Sequence, residues 1–183
     1  MRVIAGTAGS LPLKTPEGTD TRPTTDRIKE TLFNMLQPYL MDSVFIDLFS
    51  GSGGIGIEAL SRGAKRAYFV ENNRNAFACI QHNVTFTKME EKAVLLKQDV
   101  LGALSFIHEK EADIIFMDPP YGAGYERKVL DMLADKPYVT EDTLIIIEAE
   151  LRKDFSFVRD LGYRMEKEKR YKTNKHVFLR KEQ

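Results

Sequence analysis

The chain has 183 residues with 27 basic and 27 acidic side chains, so its formal net charge of zero argues neither for nor against a nucleic-acid partner. A chain of this length can bury its own core, and the single Cys79 excludes an internal disulfide. No apolar run approaches ~18 residues, and the start MRVIAGTAGS lacks the apolar core of a signal peptide, which predicts a soluble cytoplasmic protein.

The N-terminal part has short elements and irregular connections. Two extended segments, residues 2–5 and 10–14, predict a small β-hairpin, and prolines and a glycine over residues 12–18 indicate an irregular connection after it. The segment RPTTDRIKETLFNMLQPYL then predicts a helix capped by Thr24 or Thr25. Its helical spacing predicts the face that packs on the core: Ile28, Thr31, Leu32, Met35, Leu36 and Tyr39.

From residue 44 onward, apolar strands alternate with amphipathic helices. We predict strands at 44–49, 66–71, 93–98, 112–118 and 143–149, and helices near 54–62, 73–88, 100–110 and 125–135. This alternation predicts an open α/β fold, with a mostly parallel sheet covered by helices on both faces. The tail YRMEKEKRYKTNKHVFLRK predicts a terminal antiparallel hairpin at the sheet edge, turning at Lys172, Thr173 and Asn174.

A glycine-rich turn follows the first predicted strand, in DLFSGSGGIGIEAL. Gly51, Gly53 and Gly56 match G-x-G-x-x-G, and Glu71 follows Gly51 by 20 residues at the end of the next strand. In such a turn the backbone can approach a ligand closely, and an acid at the second strand's tip can accept hydrogen bonds from ribose hydroxyls. The pattern predicts an adenosine-type cofactor.

Two cofactors fit this turn, and Asp47 bears on the choice. A carboxylate beneath the loop would repel the pyrophosphate of a nicotinamide dinucleotide, but would favour the positive charges of S-adenosylmethionine. We therefore favour S-adenosylmethionine, and an NAD-dependent oxidoreductase stays as the alternative. Asp99, after the third strand, could accept the adenine amino group or could cap the helix that follows, and the two roles are compatible.

The fourth strand runs into an acidic, proline-rich and aromatic corner, IIFMDPPYGAG. Asp118 and the Pro119 carbonyl could accept the two N–H bonds of an exocyclic amine and turn its lone pair toward a methyl donor. The ring of Pro120 stiffens the corner, and Tyr121 offers a face on which a base can stack. The corner predicts methyl transfer to a planar amine, although the same four residues also form a rigid strand-ending turn.

These motifs carry a family resemblance over nearly the whole chain, from RVIAG to FLRK. The loop DLFSGSGGIGIEALSRGA, the FVE that ends at Glu71 and DPPY resemble the motifs of amino methyltransferases with a Rossmann-like class I fold. With RPTTDRIKETLFN, a narrower signature, the chain resembles the bacterial 16S ribosomal RNA guanine-N2 methyltransferases of the RsmD type, which use S-adenosylmethionine. The length predicts a single domain, with residues 1–42 as hairpin and capping helix and 43–183 as the cofactor-binding and catalytic core.

The resemblance also implies site residues, a partner and an activity. The cofactor would be held by Asp47, Phe49, Gly51, Ser52, Gly53, Glu71, Asn72, Asp99 and Val100, with its methionine end covered by Arg22, Thr24 and Thr25. The catalytic residues would be Asp118, Pro119, Pro120 and Tyr121, and substrate would contact Arg27, Tyr121 and Lys172. The implied activity is methylation of one guanine N2 of 16S rRNA, in a small-subunit particle, by a monomer. No metal is expected, because His82, His108 and His176 are scattered.

One departure from the family pattern concerns RNA binding. Relatives commonly carry a basic K-G-R-like tip in the first hairpin, whereas this chain has Ala8, Gly9 and Ser10, so that contribution to phosphate binding is weakened. The basic C-terminal run from Lys167 to Lys175 could compensate or could be a solvated face. Substrate identity therefore has alternatives with the same chemistry, adenine-N6 in DNA or RNA and protein glutamine.

Overall fold

A seven-stranded sheet forms the centre of the protein in a computed structural model that describes residues 1–17 and 25–182. The sheet order is β3-β2-β1-β4-β5-β7-β6, in which β1 to β5 are parallel and β7 is antiparallel to both of its neighbours. The strands are β1 (Val44–Asp47), β2 (Arg66–Val70), β3 (Ala93–Leu96), β4 (Ile114–Met117), β5 (Leu144–Glu150), β6 (Tyr163–Arg170) and β7 (Asn174–Lys181).

Five α-helices lie within the described residues, and they cover both faces of the sheet. They are α1 (Asp26–Leu40), α2 (Gly54–Ser61), α3 (Arg74–Phe86), α4 (Val100–Ala103) and α5 (Tyr125–Ala134), with short 3-10 segments at Glu90–Lys92, Leu104–Phe106 and Ser156–Leu161. Successive side chains of a strand point to opposite faces of the sheet, so alternate strand residues belong to two separate hydrophobic cores. Phe45, Phe116 and Ile146 pack with α1, α2 and α3, whereas Ile46 and Ile115 pack with α4 and α5.

The N-terminal segment is attached to α2 through side chains. The Glu58 carboxylate accepts hydrogen bonds from the backbone N–H groups of Ile4 (2.7 Å) and Ala5 (3.1 Å), and Ser61 Oγ accepts one from Ala8 N (2.9 Å). Lys29 Nζ lies 3.4 Å from Glu58 and Arg62 Nε lies 2.8 Å from it, so this buried acid has two cationic partners.

The sequence-based prediction of the α/β class, of the parallel sheet and of the C-terminal hairpin is confirmed. The predicted helix at 100–110 is wrong beyond Phe106, because the α-helix ends at Ala103 and a 3-10 turn follows before an irregular segment. The predicted core face of α1 is partly wrong. Tyr39 is 49% exposed, and Phe33 and Leu40 are buried instead. No helix among the described residues is long and apolar enough to span a bilayer.

Candidate active site

A cleft of about 800 Å³ opens where the carboxyl ends of β1 and β4 meet. The chain runs from β1 outward to β2 and β3, and then returns to place β4 on the other side of β1. This reversal is the topological switch point at which open α/β sheets bind their ligands. Predicted site residues that line the cleft are Thr25, Phe49, Gly51, Ser52, Glu71, Asn72, Val100, Asp118, Pro119, Pro120 and Tyr121.

The three glycines of the loop have different surroundings. Gly51 has φ +55° and would leave a Cβ in open space, so its backbone is accessible from the cleft. Gly53 precedes α2 as its N-cap. Gly56 packs so closely on the next strand that a Cβ would lie 2.4 Å from the Phe69 ring, and any larger residue would push α2 off the sheet.

Glu71 follows β2 and fixes the shape of the loop. Its Oε2 accepts the Gly51 N–H (2.9 Å), and its Oε1 accepts the Asn73 N–H (2.8 Å). Each carboxylate oxygen has a second lone pair, so Glu71 keeps acceptor capacity toward the cleft. Asn72, beside it, is exposed at the cleft wall.

Asp47 lies beneath the glycine loop and is not exposed to solvent. Its Oδ2 accepts the Gly56 N–H (3.3 Å), and its Oδ1 has no hydrogen-bond partner among the described residues. Burial, assisted by the charge of Glu71, raises the pKa of Asp47 to about 7. The floor of the loop therefore holds a carboxyl that pairs with no lysine or arginine of the described residues.

Asp99 caps α4. Its Oδ1 accepts the N–H groups of Leu101 (2.9 Å) and Gly102 (3.2 Å), which confirms the capping role predicted for it. The side chain is exposed, and the residues on either side of it, Gln98 and Val100, line the cleft.

Asp118 begins the corner after β4 and is half-buried at the cleft wall. Burial raises its pKa to about 8, and the nearby charges of Glu148 and Asp47 contribute in the same direction. Tyr121 stays 48% exposed, so its ring presents a face to solvent. Deeper in the cleft, the rings of Phe49 and Tyr125 meet edge to face at 5.5 Å between centroids.

The structure adds residues that the sequence analysis missed. Glu148, on β5, lines the cleft beside Asp118 and is 6% exposed. Asn174 Nδ2 donates to its Oε1 (2.5 Å), and His176 Nε2 lies 3.1 Å from its Oε2. Their signal in the sequence was weak, because a glutamate in an apolar strand and an asparagine after a turn have many ordinary roles.

The predicted residues around α1 and the C-terminal turn differ in position. Thr25 lines the cleft and caps α1 by accepting the Ile28 N–H at 3.4 Å. Arg27 is exposed on α1, and Lys172 is exposed at the turn between β6 and β7; neither lines the cleft, although Thr173 does. Arg22 and Thr24 lie outside the described residues.

The family is decided by comparison with known proteins. A profile described as Conserved hypothetical protein 95 matches residues 1–180. The chain belongs to this family. YlbH of Bacillus subtilis, which is named provisionally as an rRNA methyltransferase, is 38% identical over 150 residues, covering 81% of this chain and 82% of YlbH.

A second relative and a solved structure agree with this membership. Ribosomal RNA small subunit methyltransferase D of Escherichia coli (strain K12) is 35% identical over 153 residues, covering 82% of this chain and 75% of that protein. The solved structure of yhhF from Escherichia coli, titled provisionally as a methyltransferase, has a TM-score of 0.86 at 30% identity and covers 100% of this chain and 98% of that one. This member of the family is a methyltransferase, and methyltransferases of this kind use S-adenosylmethionine.

Proposed function

We propose that the protein transfers a methyl group from S-adenosylmethionine to the exocyclic N2 of a guanine in 16S rRNA. The observation that carries this proposal is the position of the Asp118 corner, which opens into the same cleft as the glycine loop and Glu71. A cofactor on the loop and an amine at the corner would share one cavity. The substrate follows from the E. coli relative, which is named for the small ribosomal subunit.

The charges of the cleft fit this cofactor. Asp47, Glu71, Asp118 and Glu148 lie at or beneath one cavity, and within the described residues none of them forms an ion pair with a lysine or arginine. Such a site disfavours a pyrophosphate and favours a cation. S-adenosylmethionine supplies a methyl group on a positively charged sulfur.

The residues of the loop have distinct roles in this proposal. Gly51, Ser52 and Gly53 bring backbone to the cofactor, and Glu71 accepts from its ribose, with Asn72 beside it. Phe49 and Val100 supply apolar walls, and Asp99 accepts from the adenine amino group at the rim. Asp47 contributes negative charge from beneath the loop, and Thr25, which lines the cleft, covers the methionine end. The same role proposed for Arg22 and Thr24 falls outside the described residues.

The corner orients the amine before the reaction. An exocyclic amine is a poor nucleophile because its lone pair is delocalised into the ring. Asp118 and the Pro119 carbonyl accept its two N–H bonds and hold the lone pair toward the methyl donor. Pro120 keeps these acceptors rigid, Tyr121 stacks on the base, and the proton released from N2 passes to Asp118 or to water.

RNA would be bound by exposed basic residues near the cleft, Arg27 and Lys172. The basic run of the C-terminal hairpin contributes less than its charge suggests. Lys175 is buried and paired with Glu168 at 2.9 Å, and Arg170 pairs with the same carboxylate at 2.8 Å. Charged side chains on β6 also protect an edge strand against pairing with other chains. We propose a monomer that acts in the cytoplasm on a small-subunit particle.

A substrate panel tests this function. Naked 16S RNA, assembled small subunits, DNA and protein are each incubated with the enzyme and labelled S-adenosylmethionine, and modified nucleosides are identified by mass spectrometry. We expect N2-methylguanosine at one position of 16S RNA, formed faster in subunits than in naked RNA. Label in N6-methyladenosine or in methylglutamine would reject the guanine assignment while keeping the methyltransferase.

Substitution of Glu71 tests the cofactor site. Glu71→Ala removes the acceptor for the ribose and frees the Gly51 N–H, so we expect affinity for S-adenosylmethionine to fall on the order of 10- to 100-fold. Calorimetric titration measures the change. Glu91→Ala, at an exposed position, serves as the matched control and should bind like the wild type. Unchanged affinity in Glu71→Ala would show that Glu71 does not bind the cofactor.

A further inference from the structure

Glu148 is a buried carboxylate that adds to the charge of the cleft but has no ligand contact in the steps above. Met117 of β4 pairs with Ile147 of β5, so Asp118 and Glu148 are the next residues on adjacent parallel strands. Adjacent strands lie about 4.8 Å apart, so the backbones of these two residues are neighbours, and both residues line the cleft. This arrangement suits two neighbouring donors on one edge of a planar ligand.

The orientation of Glu148 is fixed by residues of the hairpin strand β7. Asn174 Nδ2 donates to its Oε1, His176 Nε2 lies 3.1 Å from its Oε2, and the Tyr171 hydroxyl lies 3.3 Å from His176 Nδ1. A neutral His176 that donates from Nε2 can accept from Tyr171 at Nδ1, so one tautomer satisfies the whole chain of contacts. Glu148 is thereby held in place while keeping lone pairs for another donor.

A second buried acceptor lies beside it without a partner. Asn174 is 5% exposed and lines the cleft, and its Oδ1 has no hydrogen-bond partner among the described residues. Reversing the amide would turn Oδ1 against Glu148, so the contact with Glu148 fixes the orientation. A buried acceptor that faces a cleft is satisfied when a ligand brings an N–H group.

Guanine differs from the competing substrates in the donor next to its amine. Its N1 carries a hydrogen adjacent to the N2 amine, whereas N1 of adenine is an acceptor, and a glutamine side chain has no second nitrogen beside its NH2 group. We propose that Glu148 accepts the N1–H of the target guanine, beside Asp118 at N2, and so determines base identity. This inference rests on the proposed function.

The test compares guanine with 2-aminopurine, which keeps the 2-amino group but has an acceptor at N1. Small subunits are reconstituted with RNA that carries either base at the position mapped by mass spectrometry. Under single-turnover conditions we expect the wild type to methylate guanine on the order of 10- to 100-fold faster, the range for a hydrogen bond to a charged acceptor. In Glu148→Gln the amide can donate to 2-aminopurine N1, so the rate ratio should fall to within about threefold.

The matched control is Glu150→Gln, an exposed glutamate two residues further along β5. It removes one negative charge from the same strand, and we expect the wild-type ratio. Thermal unfolding and S-adenosylmethionine affinity show whether Glu148→Gln is folded, and a merely structural defect would slow both bases equally. Equal wild-type rates on the two bases, or an unchanged ratio in Glu148→Gln, would overturn the inference. Absence of methylation at guanine by the wild type would instead overturn the proposed function.

Discussion

The protein has two groups of buried acidic side chains, one on α2 and one in the cleft, and they differ in whether a cationic side chain lies beside them. At the base of α2, Glu58 is fully buried, but Lys29 and Arg62 lie against it and two backbone N–H groups donate to it. In the cleft, Asp47 and Asp118 are buried or half-buried, neither pairs with a lysine or arginine of the described residues, and the pKa of each is raised. The first cluster has its counter-charges within the described residues, whereas the second leaves carboxyl groups that a cationic ligand could balance.

The Glu58 cluster contributes to the stability of the fold, whereas the cleft carboxyl groups are arranged for ligand binding. Burying a charge costs free energy unless partners are supplied, and the Glu58 cluster supplies them to attach the N-terminal segment. The cleft keeps carboxyl groups in a state that is unfavourable for the empty protein. Carboxyl groups whose pKa is raised by burial in a cleft are typical of functional sites, because a bound cation then stabilises their charged form.

The largest expected effect comes from removing the corner carboxyl. Asp118→Ala takes away the acceptor that orients the amine, so methyl transfer should fall by at least about 1,000-fold. Affinity for S-adenosylmethionine should stay within several-fold of the wild type. Single-turnover assays measure the rate of methyl transfer, and calorimetric titration measures the affinity for S-adenosylmethionine. A rate within tenfold of the wild type would show that Asp118 is not a catalytic residue.

The next effect concerns the paired cluster and acts on stability. Glu58→Gln leaves the buried Lys29 and Arg62 without a counter-charge, so the free energy of unfolding should fall by about 3–5 kcal/mol. Asp26→Asn is the matched control. It breaks the exposed pair with Arg2, at 2.8 Å, and should cost less than about 1 kcal/mol. Urea unfolding of both variants checks this, and equal losses would contradict the comparison.

A smaller effect is the pH dependence of stability. A carboxyl whose pKa is raised in the folded state binds more protons when folded than when unfolded, so its contribution to stability declines as pH rises. For Asp118 this decline should run from about pH 4 to about pH 8, from its ordinary pKa of 3.8 to its raised value of about 8.

Asp118→Asn mimics the protonated side chain and isolates this contribution. It should match the wild type near pH 4 and become progressively more stable than the wild type toward pH 8. Urea unfolding at several pH values measures the difference between the two proteins. A difference that does not change with pH would contradict the raised pKa.

The sequence predicted the order of strands and helices better than it predicted which polar and charged side chains are buried together. Strand and helix order followed from apolar periodicity, and the DPPY corner and glycine loop were found because their residues are adjacent in the chain. Glu148 and Asn174 were missed because strand pairing brings them to Asp118 from 30 and 56 positions away. Lys29 was missed because a lysine on a helix is expected to be solvated, and only its distant partner Glu58 allows it to be buried.

The central claim is that the carboxyl groups of the cleft are held for a cationic ligand. The number of protons released when ligands bind tests it most directly. S-adenosylmethionine has a positive sulfur and S-adenosylhomocysteine a neutral one, so they differ in the charge presented to the cleft carboxyls. Calorimetric titration at pH 7, in buffers of different ionisation enthalpy, gives the release for each ligand. We expect greater release with S-adenosylmethionine, and a smaller difference between the ligands in Asp118→Asn. Equal release by the two ligands in the wild type would contradict the idea that these carboxyl groups are held for a cation.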